Sequence, residues 1–192
     1  MGAIADSLGM TKGALGYHFA TKELLAQAVA NEALHEMSDI ASQGFDTAAT
    51  AVVVSPDDPL ATIVRFALSV GYRYIHDVPT RAVNRLLDES IHLPLGIPAP
   101  YVDWIQLAEH LLRQAIALGQ LHNTIDPAKQ AVTLVAGMTG IQRLSELLDE
   151  RDLVLERVAE MLTVVFSGMG AANANDLVGR VAAEPGPAQL LR

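Results

Sequence analysis

Apolar residues recur along this chain at intervals of three and four, the spacing of one face of an α-helix. Ile4 and Leu8 mark the inner face of one short helix, and Leu15 and Phe19, four apart, return to the same small core from a second. Between them Gly9 permits the positive φ of a sharp turn, and Thr11 caps the second helix. Thr21 then predicts a helix from Lys22 to about Ser42, with Leu24, Leu25, Ala28 and Val29 on one side. Asp58 before Pro59 is a cap followed by a first-turn proline, opening a helix that carries Ile63, Phe66, Ala67 and Val70. Asp77-Val78-Pro79 ends that helix and begins another through Leu87. Residues His92 to Pro100 hold three prolines and a glycine and form a connection. Further helices follow from about Pro100 to Leu118, from Asp126-Pro127 to roughly Leu148, and over the run Val154, Val158, Met161, Leu162 and Val165. The one β-branched run, Val52-Val53-Val54, ends at Ser55-Pro56 and has no partner run, so the fold expected is all-α. The expected divisions are 1–42 for a helix-turn-helix with a connecting helix and 43–170 for a helical bundle. A disordered tail is expected over 171–192, where Gly, Ala, Asn and Pro dominate.

Composition narrows the function class. Half of the 192 residues are apolar (51%), yet no window offers the roughly 18 uninterrupted apolar residues of a membrane span, so no membrane partner is expected. The segment Met1 to Asp6 lacks the basic region and apolar core of a secretory signal, and there are no cysteines, which points to the cytoplasm. A net charge of -9 opposes nucleic-acid binding by the chain as a whole. Its distribution matters more than its sum. Within residues 1–22 the charges are Asp6, Lys12 and Lys22, whereas acids gather at Asp57-Asp58, Asp88-Glu89 and Glu146 to Glu150. Any DNA-contacting surface belongs to the N-terminal segment. No nucleotide-binding glycine loop, zinc-ligand spacing or nucleophile elbow is present, so neither an enzyme nor a cofactor is expected.

The helical hairpin leaves Thr11, Lys12, Ala14 and Tyr17 at the outer, leading end of its second helix, the position from which a recognition helix enters the major groove. Gly13 and Ala14 are small enough for close backbone approach, and Thr21 with Lys22 sets a helix N-terminus and a cation near a phosphate. The set Ile4, Ala5, Gly9, Thr11, Lys12, Gly13, His18, Phe19 and Lys22 resembles the DNA-binding region of the TetR family of repressors. The resemblance implies double-stranded operator DNA as partner, contacted by Thr11, Lys12, Gly13, Ala14, Tyr17, His18, Thr21 and Lys22. Two departures bear on affinity. Gly16 stands where the family usually carries an aromatic, and the chain begins too late to contain the helix that precedes the hairpin in the family.

Further along, Pro98-Ala99-Pro100-Tyr101-Val102-Asp103-Trp104, Leu118-Gly119-Gln120-Leu121, Asp126-Pro127 and Met138-Thr139-Gly140-Ile141-Gln142 resemble the regulatory domain of the gamma-butyrolactone receptor branch, which includes furan receptors. The resemblance implies a small hydrophobic effector, with Trp104 on the pocket wall and Thr139 and Gln142 as polar contacts. Tyr72 and Arg81 are further candidates for a lactone or a furan carboxylate. The stripes Val132-Val135-Ala136 and Val158-Met161-Leu162-Val165 are wider than one buried side requires, which predicts a homodimer through the last two helices. Two other readings remain open: a truncated relative that senses ligand or heterodimerises without binding DNA, and a ferritin-like di-metal enzyme using Glu32/His35 and Glu89/His92 at Glu-x-x-His spacing.

Overall fold

The computed structural model describes residues 1–43, 58–90, 101–149 and 151–184, with side chains described throughout except at 33–43 and Ser90. Among these residues every regular element is a helix: α1 (Gly2–Ser7), α2 (Lys12–His18), α3 (Lys22–Gln43), α4 (Pro59–His76), α5 (Val78–Ser90), α6 (Tyr101–Ala117), α7 (Pro127–Asp149), α8 (Val154–Gly168) and α9 (Ala174–Ala182). None is long and apolar enough to cross a membrane.

The helices form two compact units. One comprises Met1–Glu36 with Val78–Ala99, the other Met37–Asp77 with Pro100–Arg192. The first therefore takes in α5, which the pattern alone assigns to the helical bundle. In this unit α1 packs on α2, with Ala5 and Leu15 buried between solvent-facing neighbours. Gly9 makes the turn at φ +65°, in the left-handed region that a side chain disfavours. Thr11 caps α2, its Oγ1 accepting from the Ala14 N–H at 3.1 Å, and Thr21 does the same for α3 through Leu24 at 3.2 Å.

In the second unit α4 runs against α6, α8 and α9, while α6 lies along α7 and α7 along α8. The core is Val64, Leu111, Leu112, Val154, Val158, Leu162 and Phe166, each at most 1% exposed. Each such side chain adds about 1.5–3 kcal/mol through the apolar area taken from water. The caps foreseen are present: Asp58 accepts from Ala61 N–H and Asp126 from Ala128 N–H, both at 3.1 Å. At the corner between α7 and α8 Arg151 adopts φ +83° and donates its N–H to the Ser145 carbonyl at 3.1 Å. There Arg157 bridges the Ser145 hydroxyl at 2.7 Å and Asp149 at 2.5 Å, and its hydrogen bond holds the Asp149 carboxyl below the usual carboxylate range.

The end of the chain differs from expectation. Residues 174–182, read from composition as part of a disordered tail, form α9, whose Val178 and Val181 are buried and which packs on α4 and α8. Beyond it Arg65 grips Glu184 with two hydrogen bonds, at 2.7 and 2.8 Å. The physical reason is tertiary. Ala174, Val178 and Val181 are spaced for one helix face but too few to hold a helix alone, and the α4–α8 surface supplies the apolar cover that composition could not reveal.

Candidate functional site

Two surfaces carry the residues singled out by the sequence, one in each unit. In the first, Lys12, Gly13, Ala14, Tyr17 and His18 are all exposed on α2, and Tyr17 keeps 88% of its surface. Leu15 alone turns inward, at 3% exposed, which fixes the helix by one side and leaves the other open. Tyr17 and His18 stand edge to face, ring centroids 5.4 Å apart, so the phenol is steadied without being covered. Thr21 and Lys22 are exposed at the start of α3. Beside them the Glu23 carboxyl is held below its ordinary value by its own backbone N–H and by the Thr21 hydroxyl, so the first turn of α3 presents one cation and one firmly ionised acid. The segment thus offers small residues, a lysine and an aromatic hydroxyl on one accessible face.

In the second unit α4, α6, α7 and α8 diverge enough to leave an apolar cavity of ≈ 50 Å³ in its interior, or ≈ 510 Å³ of empty space when its open mouth is counted. Ile63, Phe66, Ala67 and Val70 come from α4, Trp104, Leu107, Ala108 and Leu111 from α6, Leu134, Val135 and Met138 from α7, and Leu162 from α8. Trp104 is 8% exposed and meets Phe66 edge to face at 6.1 Å and Tyr101 at 5.8 Å. Its ring is therefore held between two aromatic neighbours. A wall of hydrocarbon and aromatic rings suits a neutral apolar molecule.

Of the sequence-predicted effector contacts, Trp104 lines this cavity and the other four do not. Thr139 is one residue, about 100° of helix, past Met138, and its hydroxyl donates to the Val135 carbonyl at 3.0 Å. Gln142 is buried at 7% exposure but lies a turn beyond Met138, outside the lining. Tyr72 stacks on His76, ring centroids 4.2 Å apart, and Arg81 sits on α5 in the first unit. The residues that sequence reading missed, Leu107, Ala108, Leu134 and Met138 among them, are apolar at helical spacing and look like any core. The one hint in the sequence is Ala108, small in a stripe of larger apolar residues.

The predicted dimer stripes are also redistributed. Val158 and Leu162 of α8 are buried within the chain's own core, and Val135 faces the cavity. The large apolar residues left in solvent on these helices are Val132, Leu144, Leu147 and Leu148 of α7 and Val164 of α8, with Leu153 just before α8. Glu32 and Glu89 are exposed on α3 and α5, and His92 lies outside the described residues. Among the described residues no group of three acidic, His or Cys side chains gathers to hold a metal.

One unit thus presents an outward helix-turn-helix, and the other, a helical bundle, encloses an apolar cavity. Residues 57–171 match the family model described as tetracyclin repressor-like, C-terminal domain, and the chain belongs to the TetR family, whose members are regulators and not enzymes. It is 33% identical to the A-factor receptor protein of Streptomyces griseus over 152 residues, 79% of this chain and 49% of that receptor. The chain thus spans about half the length of that relative. A solved gamma-butyrolactone receptor, an ArpA-like protein, has a TM-score of 0.72 at 26% identity, over 97% of this chain and 87% of that one. TylP, a TetR regulator from Streptomyces fradiae, gives a TM-score of 0.66 at 30% identity, over 98% of this chain and 86% of that one. Within the family the chain falls in the branch of these butyrolactone-receptor proteins.

Proposed function

We propose that this protein is a cytoplasmic transcriptional repressor that leaves its operator when a small hydrophobic effector of the gamma-butyrolactone kind fills the cavity beside Trp104. The observation that carries the reading is that cavity: its described lining is apolar side chains from four helices, with the Trp104 ring set in the wall. An ionised furan carboxylate placed there would lose its hydration without a cation in exchange, so a neutral lactone fits better. Operator contact is assigned to Thr11, Lys12, Gly13, Ala14, Tyr17, His18, Thr21 and Lys22, all exposed. Two subunits joined through the exposed apolar residues of α7 and α8 place two such faces on successive major grooves, and the effector alters their spacing. A coupling of about 1–3 kcal/mol between the two sites suffices.

A gel shift with DNA from around the protein's own gene, repeated with γ-lactones, tests this. Retarded DNA released by lactone is the expected result, and absence of retardation by a folded dimer sinks the repressor. The second reading, ligand sensing or heterodimerisation without DNA, is favoured by the exposure of Leu8 (60%) and Leu24 (47%), which leaves the hairpin thinly covered. Lactone binding seen in Trp104 fluorescence without any gel shift selects it.

A further inference from the structure

We propose that Met138 is the adjustable wall of the cavity and sets the length of alkyl chain that the effector carries, an inference resting on the effector-sensing reading above. The interior of ≈ 50 Å³ is small beside the roughly 300–1,000 Å³ of pockets that hold drug-sized ligands, so a wall must move on binding. Most of the lining cannot. Ala67, Leu111, Leu134 and Leu162 are at most 5% exposed and belong to the close-packed core, where a shift of one side chain displaces its neighbours. Phe66 and Trp104 pin each other edge to face. That leaves the partly exposed rim. Val135 is β-branched and stiff, Ala108 has nothing beyond Cβ to move, and Leu107 is branched at Cγ with one rotatable bond fewer than methionine.

Met138 is different on both counts. It is unbranched, with three rotatable bonds and a polarisable thioether that tolerates many surroundings. It is also only partly buried, packed against the core from its edge. Rotation about those bonds displaces Sδ and Cε from the wall without moving any backbone. Thr139, next in sequence, is bonded to its own helix and supplies no competing polar contact. The side chain therefore acts as a gauge: short chains fit beneath it, longer ones displace it, and beyond its reach the gain in affinity stops.

The test titrates γ-lactones bearing ethyl, butyl, hexyl and octyl chains into the full chain, read by fluorescence of Trp104, the single tryptophan. Wild-type affinity rises about fourfold for each methylene buried until the gauge is reached. Met138→Ala moves that limit to a longer chain and raises affinity for the octyl lactone about tenfold, roughly two further methylenes. Met138→Leu, similar in volume and well tolerated in cores, moves the limit the other way and carries the test if the alanine variant does not fold. Identical limits in wild type and variants overturn the assignment. A parallel series of n-alkylbenzenes separates the two ideas. A limit that shifts there while lactones stay silent sinks the lactone reading and keeps Met138 as the gauge. An unshifted limit in alkylbenzenes removes Met138, and failure of both series to bind the folded protein overturns both.

Discussion

In the first unit the buried side chains are few, Ala5, Leu15 and Ala30 with Thr80, Val83 and Leu87 of α5, whereas in the second a continuous cluster runs from Leu60 to Val181. The contrast follows from what each presents. The α2 face is open, and the hairpin has a glycine turn, a threonine cap and one inward leucine in place of apolar depth. The bundle buries a continuous apolar cluster and leaves space between α4, α6, α7 and α8. One region is held by local backbone chemistry, the other by long-range packing.

Substitutions can break this contrast. Phe166, fully buried in the bundle, has no equal in the hairpin, and Phe166→Ala should cost about 3–5 kcal/mol, seen as a large fall in the melting temperature by circular dichroism. A loss under 1 kcal/mol would mean that the bundle is not packed as described. Gly170 comes next: at φ +92° a Cβ would run into the His122 ring, so Gly170→Ala should cost about 1–3 kcal/mol in chemical denaturation and leave operator contacts untouched. In the first unit Thr11→Ala removes the α2 cap and should cost about 1 kcal/mol, read as faster amide exchange at Ala14 and Leu15 with no change in α8. Equal acceleration in α8 would show the two regions to be one cooperative block. Lys12→Ala should leave stability alone and lower the salt dependence of DNA binding by about one counterion.

The smallest effect expected is that of pH. Hydrogen bonding to Arg65 lowers the Glu184 pKa, so the pair's contribution is present above the unfolded carboxylate value, about 4.3, and is lost as pH falls through the lower folded value. Because the pair is partly solvated, the change should be a modest loosening of α9, visible as amide exchange at Val178 and Val181 on acidification and reproduced at neutral pH by Glu184→Gln. Unchanged α9 protection in both experiments would show that apolar contact alone holds the helix.

Much of the molecule was legible because it is written locally. Asp58-Pro59 and Asp126-Pro127 start helices wherever they occur, since the cap and the fixed φ act within one turn. The outward face of α2 was legible for the same reason: Gly9, Thr11 and Leu15 fix which side of it meets solvent. The cavity was not. Trp104 stood out as a lone tryptophan, but Met138 and Leu107 carry no mark distinguishing a cavity wall from a core, and Thr139 and Gln142 drew attention as polar residues while the space opened on their apolar neighbours.

By itself the sequence determined an all-helical chain, the points at which most of its helices start, and an exposed face on α2, because caps, glycines and three-four periodicity act over a few residues. Only the tertiary structure decided that α9 docks, that α5 joins the N-terminal unit, which apolar stripes turn inward, and where packing leaves room. Those outcomes depend on the match between surfaces far apart in the chain, and burial is a property of pairs of surfaces that no single stripe records.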